Sequence, residues 1–205
     1  MRLDITFIIA SILLISSLLP LYIYRKKIFS FKYKKGDNFS LFIRDLKLHM
    51  TQHHPKIKID YSIIGKSENE HDIKIRETLI VENIVQQFFN YSYQKKTQES
   101  VDKENLWLNY MERSNSNPKY PNDWTQRKEF AWKRDNKCCN RCGDNISLDS
   151  TYTNFVKEIK DGGGYNFENI IILCSDCNKV LNSTNSKNTL SSLSISDTLM
   201  IFVKE

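Results

Sequence analysis

Between Ile5 and Tyr24 the chain carries no charged side chain. A helix of that length covers about 30 Å, the thickness of a bilayer's hydrocarbon core, so the pattern predicts one transmembrane helix over residues 5–24. Pro20 falls near its end, where the freed carbonyl is readily satisfied. Beyond Gly36 the pattern changes to short amphipathic segments. Ser40 to Met50 spaces Leu41, Phe42, Ile43, Leu46 and Met50 as a helix does, whereas Lys56 to Ile64 alternates Ile57, Ile59, Tyr61 and Ile63 as a strand does. Glu77 to Asn90 sets Ile80, Val81, Ile84, Val85 and Phe88 on one stripe of a longer helix. Leu106, Trp107 and Tyr110 form a further short apolar face behind Ser100, an acceptable N-cap. These elements predict a small α/β region over residues 38–113, without a motif that can be tied to chemistry. Residues 114–121 are polar and proline-flanked and are expected to be a linker. Asn122 or Asp123 can cap a helix from Trp124, and Ile170 to Leu173 is a buried-strand run. The serine- and asparagine-rich tail, 183–205, is expected to be partly flexible, with Leu199 to Val203 either a short strand or an apolar end.

Charge orients the expected span. Arg25, Lys26, Lys27, Lys32, Lys34 and Lys35 follow it, while only Arg2 and the terminal amine, balanced by Asp4, precede it. The positive-inside rule then places residues 1–4 outside, the basic segment 25–37 at the inner membrane face and the bulk of the chain in the cytoplasm, as a single-pass cell-membrane protein. A cleaved signal peptide is the competing reading, against which stand a thin charged n-region and the lack of a small-x-small cleavage site. The net charge of +6 suits a polyanion partner, but part of it belongs to the basic segment, which anionic lipid alone explains.

Candidate chemistry begins with the five cysteines. Cys139-x-x-Cys142 and Cys174-x-x-Cys177 are two knuckles able to aim four sulfurs at one tetrahedral centre, the pattern of a structural zinc. Disulfides would require an oxidising compartment and leave one thiol over. Cys138 leaves three residues before Cys142 and fits a knuckle less well, so it is expected to be an extra shielded thiol. His53-His54 before Pro55 suggests a metal, although a surface histidine pair at a turn is more often solvated. The helix from Trp124 mixes Arg127, Lys128, Lys133 and Arg134 with Phe130, Ala131 and Trp132, and either offers charge to phosphate or is a solvated face over an ordinary core.

Pro121-Asn122-Asp123-Trp124, Arg127, Arg134-Asp135-Asn136-Lys137 and Cys139-Asn140-Arg141-Cys142-Gly143 resemble the opening of zinc-knuckle HNH endonuclease domains. The resemblance continues through Lys157, Gly162 to Gly164, Glu168-Asn169-Ile170, Ile172-Leu173 and Cys174-Ser175-Asp176-Cys177, over about Tyr120 to Asn182. It implies a C-terminal ββα-metal module over residues 122–182, which with the expected N-terminal transmembrane helix and small α/β region gives an α+β class. Its strands would be Tyr152 to Ile159 and Ile170 to Leu173, and its helix would follow Cys174. In that family two consecutive histidines on the first strand supply a metal ligand and a general base, and their positions match Asn154 and Phe155. The loop-bracing asparagine matches Asn169, and the last metal-ligating histidine matches Asn178. Phenylalanine accepts no proton, and general-base help is typically worth ~10²–10⁴ in rate. The two asparagines offer only neutral carbonyl oxygens, suited to Mg²⁺ or a similar hard cation. Glu158, Asp161 and Asp176 are candidate replacement carboxylates, although each is more simply a solvated charge.

Three functions follow. One is a membrane-anchored, HNH-like nucleic-acid-binding protein, for DNA as the resemblance implies, with lost or weakened hydrolysis and with Lys128, Lys133, Arg134 and Arg141 as phosphate contacts. A second is an active, atypical metal-dependent endonuclease, and a third is a membrane-tethered module with a protein partner and a purely structural zinc.

Overall fold

The computed structural model describes Ser16 and residues 35–96, 101–110 and 119–203. The chain divides into two compact units, Met1–Arg44 and Asp45–Glu205. Helix α1, Lys35–His53, runs through the division. In the first unit the rings of Phe39 and Phe42 lie 6.1 Å apart, and Phe42 is buried.

The second unit is built around helix α3, Ile73–Asn90. Its expected stripe is its buried face: Ile80, Val81, Ile84, Val85 and Phe88 are all at most 5% exposed. Asp72 caps it by accepting from the backbone N–H groups of Lys74 and Ile75, which extends the helix one turn before the predicted start. Leu46 and Met50 of α1 are buried in the same unit, as the helical spacing predicts.

The predicted strand over Lys56 to Ile64 is instead a turn followed by a four-residue helix α2, Ile63–Lys66. Gln87 of α3 claims the backbone a strand would have offered, since its Nε2 donates to Asp60 O at 2.8 Å and its Oε1 accepts from Asp60 N at 2.7 Å. Asp60 in turn accepts from the backbone N–H and hydroxyl of Ser62. Local side-chain pairing has outcompeted an alternating pattern that has no partner strand. After Lys103–Asn105, a single 3-10 turn, Trp107 packs against Tyr110 and Phe130 at 4.8 Å each. Ser100 and most of the expected linker, residues 114–118, lie outside the described residues.

Helix α4, Trp124–Arg134, begins where predicted, but Asp123 makes no side-chain cap bond. Its Oδ1 takes the Arg127 Nε at 2.8 Å instead. Strands β1, Tyr152–Phe155, and β2, Ile170–Leu173, pair antiparallel with Asn154 opposite Ile171 and Phe155 opposite Ile170. The first strand is shorter than predicted because the chain turns into a 3-10 segment, Ile159–Asp161. Every residue of β2 is buried, and α4 packs against it. Helix α5, Ser175–Leu181, follows and packs on β1, completing a ββα unit.

The tail is largely helical over residues 186–200. It forms α6, Ser186–Ser191, and α7, Ser194–Met200, both against α3, with Leu193, Ile195 and Leu199 buried. Asn185 caps α6, and Asp176 caps α7 by accepting from Ser194 N, Ser194 Oγ and Ile195 N. The polar composition that suggests disorder is thus partly capping chemistry.

Among the described residues no helix is long and apolar enough to cross a membrane. The two longest have 19 and 18 residues, but α1 carries Arg44, Asp45 and Lys47, and α3 carries Lys74, Arg76, Glu77 and Glu82. Such charges are costly at bilayer depth. The expected single-pass membrane protein is corrected on this finding, in fold class and in localisation alike: the described fold is mixed helix and sheet, a ββ hairpin with a C-terminal ββα region. Apart from Ser16, the stretch 5–24 that carried the expectation lies outside the described residues, as do residues 25–34.

Candidate metal centre and nucleic-acid surface

The first cysteine knuckle is shaped by its backbone. Cys139 N donates to Asp144 O at 2.8 Å, Gly143 N donates to Cys139 O at 2.9 Å, and Gly143 adopts φ +86°, a left-handed turn that glycine accepts without strain. Asn140 N donates to Ile172 O and ties this knuckle to β2. The second knuckle is the start of α5, where Cys174 Sγ accepts from Cys177 N at 3.4 Å. The four sulfurs of Cys139, Cys142, Cys174 and Cys177 all lie within 4.8 Å of one another and are buried.

Sulfurs packed this closely ionise unequally. Hydrogen bonds from Cys142, then Cys174 and Cys177, hold the Cys139 thiol far below its ordinary range, and bonding to Cys139 pushes Cys142 and Cys177 far above theirs. A divalent cation resolves the conflict by favouring all four thiolates. A buried set of four sulfurs fits zinc, whose structural sites take four such ligands and leave no position for water. Cys138 lies outside the cluster, half-buried, with its Sγ donating to Asn136 O at 3.3 Å, as the spacing predicts.

Arg141, inside the first knuckle, is 1% exposed. Its Nη2 donates to Phe88 O at 2.6 Å, Phe89 O at 3.3 Å and Tyr91 O at 3.2 Å, the free carbonyls at the C-terminus of α3, while Nη1 lies 3.5 Å from Cys177 Sγ. The guanidinium therefore serves a helix end and a thiolate, and it presents nothing to an external phosphate. Arg134 is also inward: it donates to Phe167 O at 2.8 Å and Ile170 O at 2.7 Å and pairs with Asp135, fixing the start of β2 to α4. Lys133 is exposed and pairs with Glu129 at 2.6 Å, and Lys128 is half-buried on the same helix. Of the four predicted phosphate contacts, these two lysines alone have side chains that the fold leaves toward solvent.

Asn169 bonds to both sides of the glycine loop. Its Nδ2 donates to Lys157 O at 2.9 Å and Gly164 O at 2.7 Å, and its Oδ1 accepts from Lys157 N at 2.8 Å. Asn154 is buried, and its Oδ1 accepts from Phe155 N and from Lys95 Nζ, each at 2.8 Å. Lys95 also pairs with Glu158 at 2.8 Å. Phe155, the position a base would take, joins an aromatic wall with Trp124 at 6.0 Å and Tyr165 at 5.6 Å, on which Tyr120 stacks against Trp124 at 4.6 Å. Asn178 accepts from Asn182 Nδ2 at 2.9 Å along α5. Asp176 is committed to capping α7, and Asp161 is exposed.

Lys95 is the participant sequence reasoning missed. No motif surrounds it, and it reaches Asn154 across 59 positions of chain. The histidine pair also divides. His53 is exposed, while His54 is 7% exposed, with its ring 5.1 Å from that of Phe88, and burial, with His49 and His53 beside it, pushes its pKa down to about 4. At neutral pH that imidazole is uncharged, where a solvated ring was expected.

The HNH endonuclease family model matches residues 139–184. Neither the curated proteins nor the solved structures yield a match. The matched segment holds both knuckles, the bracing asparagine and the ββα unit, so this part of the chain is an HNH endonuclease domain, and its four grouped cysteines are consistent with the zinc-binding type.

Proposed function

We propose that the protein binds nucleic acid through its HNH domain and has lost phosphodiester hydrolysis. The observation that carries this reading is the Lys95 ammonium, held 2.8 Å from both Asn154 Oδ1 and Glu158 Oε1. Asn154 is the position at which the family presents a metal ligand, so a fixed monovalent cation stands where a divalent one would be coordinated. An ammonium neutralises the carboxylate but cannot lower the pKa of a bound water as a divalent metal does. Phe155, packed into the aromatic wall, offers no lone pair for a base. The exposed lysines Lys133, Lys137, Lys157 and Lys160 supply sequence-independent attraction for a phosphate backbone.

The test is a pair of assays on the purified full chain. Binding to a DNA duplex is expected to weaken steeply with salt, and no nicking of supercoiled DNA is expected with Mg²⁺, Mn²⁺, Ni²⁺ or Zn²⁺. Metal-dependent nicking abolished by Asn154→Ala would overturn the loss of hydrolysis. A second reading, an active endonuclease with a rearranged site, is favoured by one contact: Lys95 brings Glu158 and Asn154 to a common point, and Glu158 could serve as carboxylate ligand once the lysine moves. That reading expects Lys95→Ala to raise nicking in Mg²⁺, whereas the first expects none.

A further inference from the structure

His49 and His53 stand four residues apart on α1, the spacing that puts two side chains on one helix face. Their rings stack with centroids 4.5 Å apart, and His54 brings a third imidazole to 6.1 Å from the first and 6.5 Å from the second. A metal at the usual ~2.0–2.1 Å from three imidazole nitrogens holds ring centres about 5 Å apart, so His54 must approach the other two by about 1 Å and the stacked pair must turn before the three nitrogens meet at one ion. Asp144 Oδ1 lies 3.2 Å from His53 Nδ1. A carboxylate on Nδ1 fixes the tautomer that leaves Nε2 as a ligand, which is the arrangement found behind metal-bound histidines. His54 adds a second observation. It is 93% buried, yet its Nδ1 has no hydrogen-bond partner, an unusual cost for a buried ring nitrogen. All four residues line one cavity of about 360 Å³, which Cys174 and Asp176 also border.

We propose that His49, His53 and His54 form a second metal site, separate from the cysteine centre, for a late first-row divalent cation such as Ni²⁺, Cu²⁺ or Zn²⁺, with Asp144 as the positioning residue. Three nitrogen donors select these ions over Mg²⁺ and Ca²⁺, which require oxygen. Three protein ligands leave a position open toward the cavity, unlike the closed cysteine site.

The experiment titrates Ni²⁺ and Cu²⁺ into the zinc-loaded full-length protein near pH 7.5, following bound metal by mass spectrometry and ligand type by absorbance and electron paramagnetic resonance. One further equivalent per chain is expected, with nitrogen hyperfine structure for Cu²⁺ and no thiolate charge-transfer band, while zinc remains at one equivalent. His53→Gln is expected to lower the affinity at least about tenfold, and Asp144→Asn, which keeps all three rings, by about 10–100-fold. Because His53 is exposed, its replacement should leave the fold and the zinc content intact. No second equivalent, an affinity unchanged in a His49→Gln/His53→Gln variant, or uptake that displaces zinc from sulfur would each overturn the site.

Discussion

Asn169 and Lys157 exchange two hydrogen bonds, Lys157 N to Asn169 Oδ1 at 2.8 Å and Asn169 Nδ2 to Lys157 O at 2.9 Å, so one side chain imitates a strand partner for the residue beyond β1. The same amide donates to Gly164 O at 2.7 Å. At about 1 kcal/mol per bond, with a buried carbonyl left unpaired, Asn169→Ala should destabilise the protein by about 2–4 kcal/mol, read from the urea midpoint. Asn169→Asp keeps the acceptor but sets a carboxylate oxygen against both carbonyls and should cost at least as much as Asn169→Ala. An unchanged midpoint in Asn169→Ala would show that the loop is held by other contacts.

Gly163 sits inside that loop with no room for a side chain. A Cβ built there would meet Lys157 O at 2.0 Å and Glu158 O at 2.8 Å, both backbone atoms unable to swing aside. Gly163→Ala should therefore cost about 3 kcal/mol or more, although its φ is unexceptional. Gly65, where nothing lies within 4 Å of a Cβ, is the control, and Gly65→Ala on α2 should be neutral or slightly stabilising. Equal melting temperatures for the two variants would contradict the close approach.

The two kinds of basic residue should separate experimentally. Lys133→Ala removes a surface pair worth about 0.3–0.5 kcal/mol and should leave the melting curve nearly unchanged, while reducing the slope of log affinity against log salt by about one for a DNA duplex. Arg141→Ala leaves two α3 carbonyls and that of Tyr91 just beyond the helix without their donor and should cost about 3 kcal/mol or more. A strong salt-slope effect from a well-folded Arg141 variant would contradict its assignment as a helix cap.

Zinc removal should unfold rather than merely silence the ββα unit. One equivalent of zinc is expected per chain, and Cys142→Ser or Cys174→Ser should release it with loss of the cooperative transition, because binding energy at a structural site is folding energy. Full zinc content and unaltered melting in either variant would remove the centre from the account.

Burial raises the Tyr110 phenol above its ordinary value, against the Phe167 backbone bond and the Arg127 guanidinium 4.8 Å from the ring, which lower it. The unfolded chain gives up this proton near pH 10 while the folded chain still holds it. Tyr110 thus contributes stability that is complete below pH 10 and lost as pH rises beyond it. Urea melts at pH 9 and pH 11 should show a smaller alkaline loss in Tyr110→Phe than in the parent.

What the sequence made legible is what spacing alone determines. Two cysteine pairs forecast a cluster because a knuckle has few backbone solutions, and five apolar residues between Ile80 and Phe88 forecast the buried face of α3 because helical period leaves one stripe. Asn169 was legible only through the resemblance. The roles of Arg141 and Lys95 were not legible: a basic side chain has the same composition signal whether it meets solvent, a helix end or an asparagine 59 positions away. Residues 56–64 misled because alternation is necessary for a strand but not sufficient, and Gln87, from a distant helix, occupies the backbone a neighbouring strand would need. The helices of the tail were not legible either, since serines and asparagines start helices as readily as they solvate coil.

The reach of Arg141 has a practical corollary for anyone dissecting this protein. The residue lies within the recognisable 139–184 segment, yet its three carbonyl acceptors belong to residues 88–91, and Gly143 leaves space for Pro55, whose Cγ would stand 2.9 Å from any Cβ placed there. Excising the motif at its recognisable borders would strand a guanidinium and uncover the seat of Pro55. The heritable signature is thus shorter than the foldable piece, and a useful minimal fragment must begin upstream of α3, early enough to bring Pro55 with it.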